Sequence, residues 1–216
     1  MSKVQINRAN QAVTAPTGKV RKKNQEVILK AAEKEFLKHG FEGASIKSIA
    51  EQAQIPRANV HYYYKNKEAI YGDILSRILE LWDDSIIESS DDPYTVLSEY
   101  IRAKVLFAKT NAEASRIFAS EMIHGAPRLK EYLSTDFKIW MDKVTAIIQN
   151  WIDQGKMDAI NPMYLLFCIW GSTQHYADFS TQVTAAMGKT KLSNQDFEEV
   201  ADTLIQIILK GCGLIK

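Results

Sequence analysis

The chain has 216 residues, of which 46% are hydrophobic, and its 27 Lys and Arg nearly balance its 26 Asp and Glu. This composition is typical of a soluble globular protein with one or two domains. No apolar run is long enough to span a bilayer, and the N-terminus carries charges where a signal peptide needs an apolar core. These features argue against membrane insertion and secretion, so we expect a cytoplasmic protein.

The charge is distributed unevenly along the chain. Residues 1–67 contain 13 Lys/Arg and 5 Asp/Glu, a balance of +8, whereas residues 68–216 contain 14 and 21, a balance of −7. The positive balance suits an N-terminal module that approaches phosphates. We predict that residues 1–20 form a flexible basic arm. This arm either lies along a nucleic-acid backbone or minor groove, or is a solvated tail.

The first predicted helix follows this arm. Its apolar stripe is expected to comprise Val27, Ile28, Ala31, Ala32, Glu35 and Phe36. Gly40 comes after the stripe, at a position that favours a left-handed helix cap. The pattern therefore predicts an amphipathic helix that ends near Gly40.

The segment from Ser45 to Glu68 contains two short helical patterns joined by a bend. Ser45 can cap the first helix, whose apolar residues recur at helical spacing: Ile46, Ile49, Ala50 and Ala53. Pro56 lies where a helix needs no amide donor, so a second helix is expected from Arg57 to about Tyr63. Two helices joined in this way are typical of a DNA-reading helix-turn-helix.

The second helix of this segment has two distinct faces. Val60 and Tyr64 are four residues apart and can pack inward. The other face has residue types that can read base edges in a major groove: Arg57, Ala58, Asn59 and His61. We expect phosphate contacts from Ser45, Lys47, Tyr62, Tyr63 and Lys67. The alternative is an ordinary helical hairpin with a solvated polar face.

Residues 21–75 resemble the TetR family of bacterial repressors. The resemblance depends on the AA-x-x-x-F segment of the first helix, the HGFEGAS turn and the run from Tyr62 to Glu68. It implies a DNA-binding domain at residues 21–67 and a ligand-binding and dimerisation domain at 68–216. It also implies a homodimer that binds a double-stranded operator. The operator is expected to be palindromic, because a two-fold symmetric dimer requires a DNA site with the same symmetry. Ile55-Pro56 in the turn and Tyr64 depart from the family pattern.

Helix punctuation recurs in the rest of the chain. Asp92-Pro93 and Asn161-Pro162 each place a capping residue before a proline, and Ser193-x-x-Asp196 resembles a capping box. Gly155 can end the helix before it. The expected helices lie near 67–89, 93–109, 112–123, 127–154, 162–186 and 194–212. With the first three, they predict an all-α, nine-helix protein of TetR type.

The two helices predicted at 162–186 and 194–212 carry more apolar residues than a small domain needs to form its own core. They include Leu166, Ile169, Val200, Leu204, Ile207 and Ile208. The excess predicts a four-helix interface between two chains. Cys168 and Cys212 lie in apolar stretches without metal-ligand spacing. We interpret both cysteines as core residues and expect no metal and no cofactor.

A narrower resemblance appears in Glu113–Pro127 and Ile169–Val183. These segments are similar to the pyrimidine-utilisation repressor subgroup of the TetR family, which implies uracil or thymine as a small-molecule effector. By position, the resemblance assigns ligand contacts to Trp82, Trp170 and Gln174. The carboxamide of Gln174 can meet the amide-like edge of a pyrimidine, and the indole of Trp170 can pack on its ring. Both side chains could instead be ordinary core residues. A second alternative is that the effector is another small planar molecule.

Catalysis is the remaining alternative. His175 and Asp178 lie one helical turn apart and could combine with His124 in an acid-base site. No nucleophile, Gly-rich phosphate loop or second carboxylate at suitable spacing accompanies them. We therefore predict no catalytic residues and a transcription regulator rather than an enzyme. The rival from a different class is a metabolite-binding protein or enzyme without operator binding.

Overall fold

A computed structural model describes residues 18–83 and 91–215, with side chains described for 21–80 and 91–215. The arm predicted at residues 1–20 thus lies largely outside the described residues. The described chain forms eleven helices: α1 (Gly18–Gly43), α2 (Ile46–Ala53), α3 (Arg57–Tyr63), α4 (Lys67–Asp83), α5 (Pro93–Thr110), α6 (Ala112–Ile123), α7 (Lys130–Ser134), α8 (Asp136–Asp153), α9 (Pro162–Asp178), α10 (Ser180–Ala186) and α11 (Asn194–Gly211).

The predicted all-α fold is confirmed, because the described residues contain helices and no strands. The helix count differs from the predicted nine. The helix expected at 127–154 is divided at Thr135 (φ −118°, ψ −94°), and the one expected at 162–186 is divided at Phe179 (φ −112°, ψ 30°). Each break involves a single residue, so the helical spacing of the apolar residues continues across it and the sequence does not reveal it.

The predicted helix caps are confirmed. The Ser45 and Ser193 hydroxyls each accept from the backbone N–H three residues on, at 3.0 and 3.2 Å. The Asp92 carboxylate accepts from the Thr95 amide at 3.0 Å, and the Asn161 side chain accepts from the Met163 amide at 3.0 Å. Helix ends leave amide groups without partners inside the helix, so these local side chains fix where α2, α5, α9 and α11 begin.

Two glycines end helices as expected. Gly40 has φ 67° and interrupts the helical backbone near the end of α1. Gly155 has φ 69°, two residues after the end of α8. A side chain at a positive φ angle is strained, whereas glycine adopts this conformation readily. The chain can therefore turn sharply after both helices.

The first of two compact units combines the chain up to Leu81 with Arg116–Arg128. Its buried core includes Ile28, Ala32, Phe36, Ile49, Ala50, Val60, Ile70 and Ile74. Val27, which we expected in the stripe of α1, is instead 37% exposed. Consecutive helical residues are about 100° apart around the helix axis, so Val27 lies at the edge of the face that buries Ile28.

The second unit contains Trp82–Ser115 and Leu129–Lys216. Its core is formed mainly by α5, α8, α9 and α11, with buried residues that include Tyr100, Ile101, Val144, Ile148, Trp151, Leu166, Ile169, Leu209 and Cys212. Arg102 of α5 donates to Asp202 of α11 at 2.6 Å on the surface. None of the described helices is both long and apolar enough to cross a membrane.

The two cysteines differ in their surroundings. Cys212 is fully buried, as predicted, whereas Cys168 is exposed and the core prediction for it is wrong. The helix α9 is apolar on its outward face as well as its inward face, since Tyr164 and Phe167 are also exposed. The sequence pattern could not tell which apolar face carries Cys168.

Candidate DNA interface and effector site

The helix-turn-helix is formed by α2 and α3. Gln54 adopts a left-handed conformation (φ 56°, ψ 38°) at the end of α2, and α3 begins at Arg57 directly after Pro56, as the sequence predicted. Pro56 cannot cap a helix with its side chain, so the α3 amides depend on other partners. The position of α3 is set by packing instead, because Val60 is completely buried.

Tyr64 fixes the end of α3 to α4. Its ring is buried, and its hydroxyl donates to the Asp73 carboxylate at 2.6 Å. Burial, followed by this hydrogen bond, raises the pKa of Tyr64, so the phenol stays protonated and remains a donor. The reading helix is therefore attached to α4 by a buried ring and a charge-assisted hydrogen bond.

The predicted base-reading residues lie together on the outward face of α3. Arg57, Ala58, Asn59 and His61 are all exposed, opposite the buried Val60. Tyr62 is 45% exposed and meets the ring of Tyr63 edge to face, with centroids 5.0 Å apart. An exposed face on a short, firmly packed helix can enter a major groove.

The predicted phosphate contacts have different surroundings. Ser45 is exposed, but its hydroxyl already takes part in the capping box of α2. The Lys47 side chain is 74% exposed, and its ammonium lies 3.9 Å from a carboxylate oxygen of Glu51, whose side chain is 67% exposed. The Tyr63 hydroxyl accepts from Asn24 at 3.0 Å, which ties α3 to α1. Lys47 is thus the candidate with the most accessible charge.

Lys67 has a structural role that conflicts with the predicted phosphate contact. Its ammonium donates to three backbone carbonyls near the end of α1, those of Phe41, Glu42 and Ala44, at 2.7, 3.1 and 3.3 Å. The ammonium also lies 4.5 Å from the centre of the Phe41 ring. A lysine has three N–H donors, and here all three are used. We therefore remove the Lys67 side chain from the phosphate contacts.

A cluster of four residues joins the end of α6 to the reading unit. The Arg128 guanidinium carbon lies 3.5 Å from the Phe41 ring centre, and the Arg128 backbone N–H donates to Glu121 at 2.8 Å. The buried Glu121 also hydrogen-bonds to Tyr71 of α4. We call Phe41, Tyr71, Glu121 and Arg128 the α6 latch. Sequence reasoning missed it, because its members are far apart in the chain.

The predicted effector residue Trp170 lies in an aromatic group of the second unit. Its indole N–H donates to the Tyr100 hydroxyl at 2.6 Å. Its ring is roughly parallel to that of Trp140, with centroids 6.1 Å apart and planes at 28°. Phe137 lies 6.1 Å from both indoles. The hydrogen bond from α9 to α5 holds the Trp170 ring in one orientation.

The other two predicted effector residues are Gln174 on α9 and Trp82 on α4. Gln174 lies one turn after Trp170 on α9 and is partly buried. Trp82 belongs to α4, but its side chain lies outside the described residues. Trp170 and Gln174 therefore share a helix face, as their spacing predicted.

Lys104 is a buried charge beside this aromatic group. It lies one turn after Tyr100 on α5, is only 7% exposed, and has its ammonium 5.7 Å from the Tyr100 ring centre. Burial lowers the pKa of Lys104 from 10.5 to about 7. Sequence reasoning missed it, although a lysine within the apolar stripe of α5 was a usable signal.

The residues considered for catalysis have separate structural contacts. His175 stacks on Phe179, with ring centroids 5.1 Å apart, and Asp178 accepts from the Ser115 hydroxyl at 2.7 Å. The His124 ring lies 2.7 Å from the Ser120 carbonyl one turn earlier. Within the described residues, no group of three or more His, Cys, Asp or Glu could hold a metal ion.

Comparison with known proteins agrees with this architecture. Residues 28–74 match the family described as bacterial regulatory proteins, tetR family, and residues 75–215 match the C-terminal region of YcdC-like proteins. The chain is 38% identical over 189 residues to the HTH-type transcriptional regulator RutR of Escherichia coli K12, which covers 87% of this chain and 89% of RutR.

Solved structures share the fold at lower sequence identity. A putative fatty acid metabolism regulator of Clostridium perfringens has a TM-score of 0.69 at 20% identity, covering 86% of this chain and 97% of that one. AibR, solved with isovaleryl coenzyme A and operator DNA, has a TM-score of 0.65 at 16% identity, covering 86% and 98%. The chain therefore belongs to the TetR family of DNA-binding transcription regulators, which are not enzymes, and it is similar to RutR.

Proposed function

We propose that this protein is a cytoplasmic, homodimeric repressor that leaves its operator when it binds uracil or thymine. The observation that carries the effector assignment is the fixed Trp170 indole, held by Tyr100 in an aromatic group, with Gln174 one turn further along the same face. An aromatic wall beside a carboxamide suits a flat ring with an amide-like edge. The sequence resemblance to pyrimidine-utilisation repressors supports the same ligand.

On DNA, the exposed face of α3 would read bases in the major groove. Arg57 can reach a guanine with two hydrogen bonds, and Asn59 can reach an adenine in the same way. Ala58 and His61 complete this face. Ser45, Lys47, Tyr62 and Tyr63 would contact phosphates and set the register. In this proposal the backbone amide of Lys67, at the start of α4, replaces its side chain as a phosphate donor.

The dimer would form through the outward faces of α9 and α11. Tyr164 and Phe167 on α9 are 68% and 47% exposed, Phe179 directly after α9 is 55% exposed, and Ile207 on α11 is 63% exposed. A second copy of the chain would cover these apolar side chains in a four-helix arrangement. Of the residues first expected at this interface, Leu166, Ile169 and Ile208 are instead buried in the core of their own chain.

Effector binding would reach the reading helix through α6 and α4. The residues of α6 up to Ser115 belong to the second unit, and those from Arg116 belong to the first. In the first unit, Glu121 hydrogen-bonds to Tyr71 of α4, and Asp73 of α4 accepts a hydrogen bond from Tyr64 at the end of α3. A ligand that prefers one arrangement of these helices would shift operator affinity by about 1 to 3 kcal/mol.

The proposal is tested in two steps. Selection from genomic fragments should enrich a few palindromic sites, and calorimetry should show uracil or thymine binding to the purified protein. Gln174→Leu should weaken that binding while leaving operator affinity intact, because residue 174 lies outside the DNA-reading segment. Equal uracil affinity in the variant would remove Gln174 from the site. If no pyrimidine binds to the wild type, the effector assignment fails while the DNA-binding assignment stands.

A further inference from the structure

The two tyrosine hydroxyls at the end of α3 each meet an amide side chain of α1. The Asn24 amide donates to the Tyr63 hydroxyl at 3.0 Å. The side chain of Gln25 hydrogen-bonds to the hydroxyl of Tyr64. The two amides are neighbours in the chain, and so are the two tyrosines. The end of the reading helix is thus joined to α1 by a pair of contacts between an amide and a phenol.

The position of both amides follows from the helical spacing of α1. Asn24 lies one turn before Ile28, and Gln25 lies one turn before Leu29, and both apolar side chains are buried. Residues four apart share a helix face, so the two amides continue the face of α1 that packs into the core of the first unit. Both amides are half-buried. Polar groups at the edge of a core form hydrogen bonds, and here their partners are the phenols of α3.

The two phenols differ in where the hydroxyl hydrogen goes. A phenol has one hydrogen to donate and lone pairs that accept. Tyr64 donates its hydrogen to the Asp73 carboxylate at 2.6 Å, and its ring is buried. Tyr63 accepts from Asn24, which uses a lone pair of its oxygen and leaves its hydrogen for another acceptor. Tyr64 is therefore a structural contact, whereas Tyr63 is a half-buried donor at the end of α3.

We infer that Asn24 is a positioning residue for operator binding, because its amide orients the Tyr63 hydroxyl to donate to a phosphate oxygen of the DNA. Tyr63 makes the contact, and Asn24 acts through it. A donor to a phosphate forms a charge-assisted hydrogen bond, and a donor that is already held in place loses less freedom on binding. This inference rests on the proposed function, in which Tyr63 contacts phosphate. It gives a role in DNA binding to a residue outside the helix-turn-helix.

A double-mutant cycle tests whether Asn24 acts through Tyr63. Tyr63→Phe removes the hydroxyl and should lower operator affinity at least about tenfold, because a hydrogen bond to a charged group is lost. Asn24→Leu removes the amide and keeps a side chain of similar size, and it should lower operator affinity by a smaller factor. Combined in one protein, the two changes should lower operator affinity no more than Tyr63→Phe alone.

Methylphosphonate linkages in the operator distinguish the phosphate contact from a purely structural role of Asn24. Such a linkage replaces one charged phosphate oxygen by a methyl group, and it is placed at each position of the half-site in turn. At the phosphate that Tyr63 contacts, the wild type should lose operator affinity, whereas Tyr63→Phe and Asn24→Leu should lose little more. Gln25→Leu is the matched control, because it removes the neighbouring amide and its contact with Tyr64. This control should lose as much affinity as the wild type at that phosphate.

The outcomes separate this inference from the proposed function. If the wild type binds no palindromic operator, the proposed function and the inference both fail. If the operator is bound and Asn24→Leu keeps or gains affinity, the amide does not orient a donor and the inference alone is overturned. Additive losses in the double variant, or a methylphosphonate profile of Asn24→Leu that equals the wild-type profile, also overturn it. Asn24→Ala replaces Asn24→Leu in all of these measurements if circular dichroism shows that Asn24→Leu is unfolded.

Discussion

The guanidinium of Arg128 stacks on the ring of Phe41, with 3.5 Å between the guanidinium carbon and the ring centre. The Lys67 ammonium also lies 4.5 Å from the Phe41 ring centre. Phe41 follows Gly40, where α1 turns, so this ring lies at the end of a helix of the DNA-binding unit. The segment after α6 is thereby attached to the helices that carry the reading helix.

Arg128→Ala tests the stability that this contact contributes. The variant loses the stacking on Phe41 and the ion pair with Glu121, at 3.5 Å, and leaves the buried Glu121 carboxylate with fewer partners. We expect the free energy of unfolding to fall by about 1 to 2 kcal/mol, measured by denaturant titration. Lys130→Ala, at an exposed position nearby, is the control. Equal stability of the two variants would show that the stacking contributes nothing.

Lys67→Met and Lys47→Met should separate structural from electrostatic roles. Lys67→Met loses three hydrogen bonds to backbone carbonyls at and just after the end of α1, so its melting temperature should fall while the salt dependence of DNA binding keeps its slope. Lys47→Met should leave the melting temperature unchanged and reduce the magnitude of the slope of log K against log salt by about 1. A slope that changes in Lys67→Met alone would restore Lys67 as the phosphate contact and exclude Lys47.

The low pKa of Lys104 makes stability depend on pH with a definite sign. In the folded state the amine loses its proton near pH 7, whereas in the unfolded chain it keeps the proton until about pH 10.5. Between these values the unfolded state binds more protons, so the free energy of unfolding should rise with pH by up to about 1.4 kcal/mol per unit. Below pH 7 the full destabilisation by the buried ammonium remains.

This pH effect is measured as the difference between the wild type and Lys104→Met. Denaturant titrations at pH 6, 7, 8 and 9 should give Lys104→Met a larger free energy of unfolding than the wild type at low pH. This difference in the free energy of unfolding should shrink as the pH rises. The other titrating groups occur in both proteins and cancel in the difference. A gap that stays constant with pH would contradict the assignment of a depressed pKa to Lys104.

The dimer prediction is tested by charges placed on the outward face. Phe167→Asp and Ile207→Asp should each give a folded monomer in sedimentation experiments, because a buried carboxylate without a partner opposes association. Tyr94→Asp, at a 46% exposed aromatic on α5, is the matched control and should stay dimeric. A well-folded dimer in both α9 and α11 variants would place the interface elsewhere.

The sequence predicted those features that depend on nearby residues. Ser45, Gly40 and Asn161 fix helix ends through contacts within a few positions, and the spacing of Val60 and Tyr64 determines which face of α3 is buried. These predictions are confirmed because the physics that sets them is local. The motif of α2 and α3 is therefore readable before any tertiary contact is known.

Other features depend on contacts between distant segments. Lys67 was assigned to phosphate because it is basic and follows the motif, but its partners lie about 25 residues earlier in the chain. The α6 latch and the hydrogen bond from Trp170 to Tyr100 likewise require the packed helices. Cys168 was misplaced because α9 is apolar on two faces, and periodicity does not show which one faces the core of its own chain.

The most direct test of the account is operator release by uracil, followed by fluorescence anisotropy. A palindromic fragment selected from genomic DNA would be labelled and bound by wild-type protein, and uracil, thymine and cytosine would be titrated in parallel with Gln174→Leu as the matched variant. We predict that uracil or thymine releases the operator from the wild type, that cytosine does not, and that Gln174→Leu stays bound throughout. Operator binding that none of these bases changes would contradict the proposed effector response.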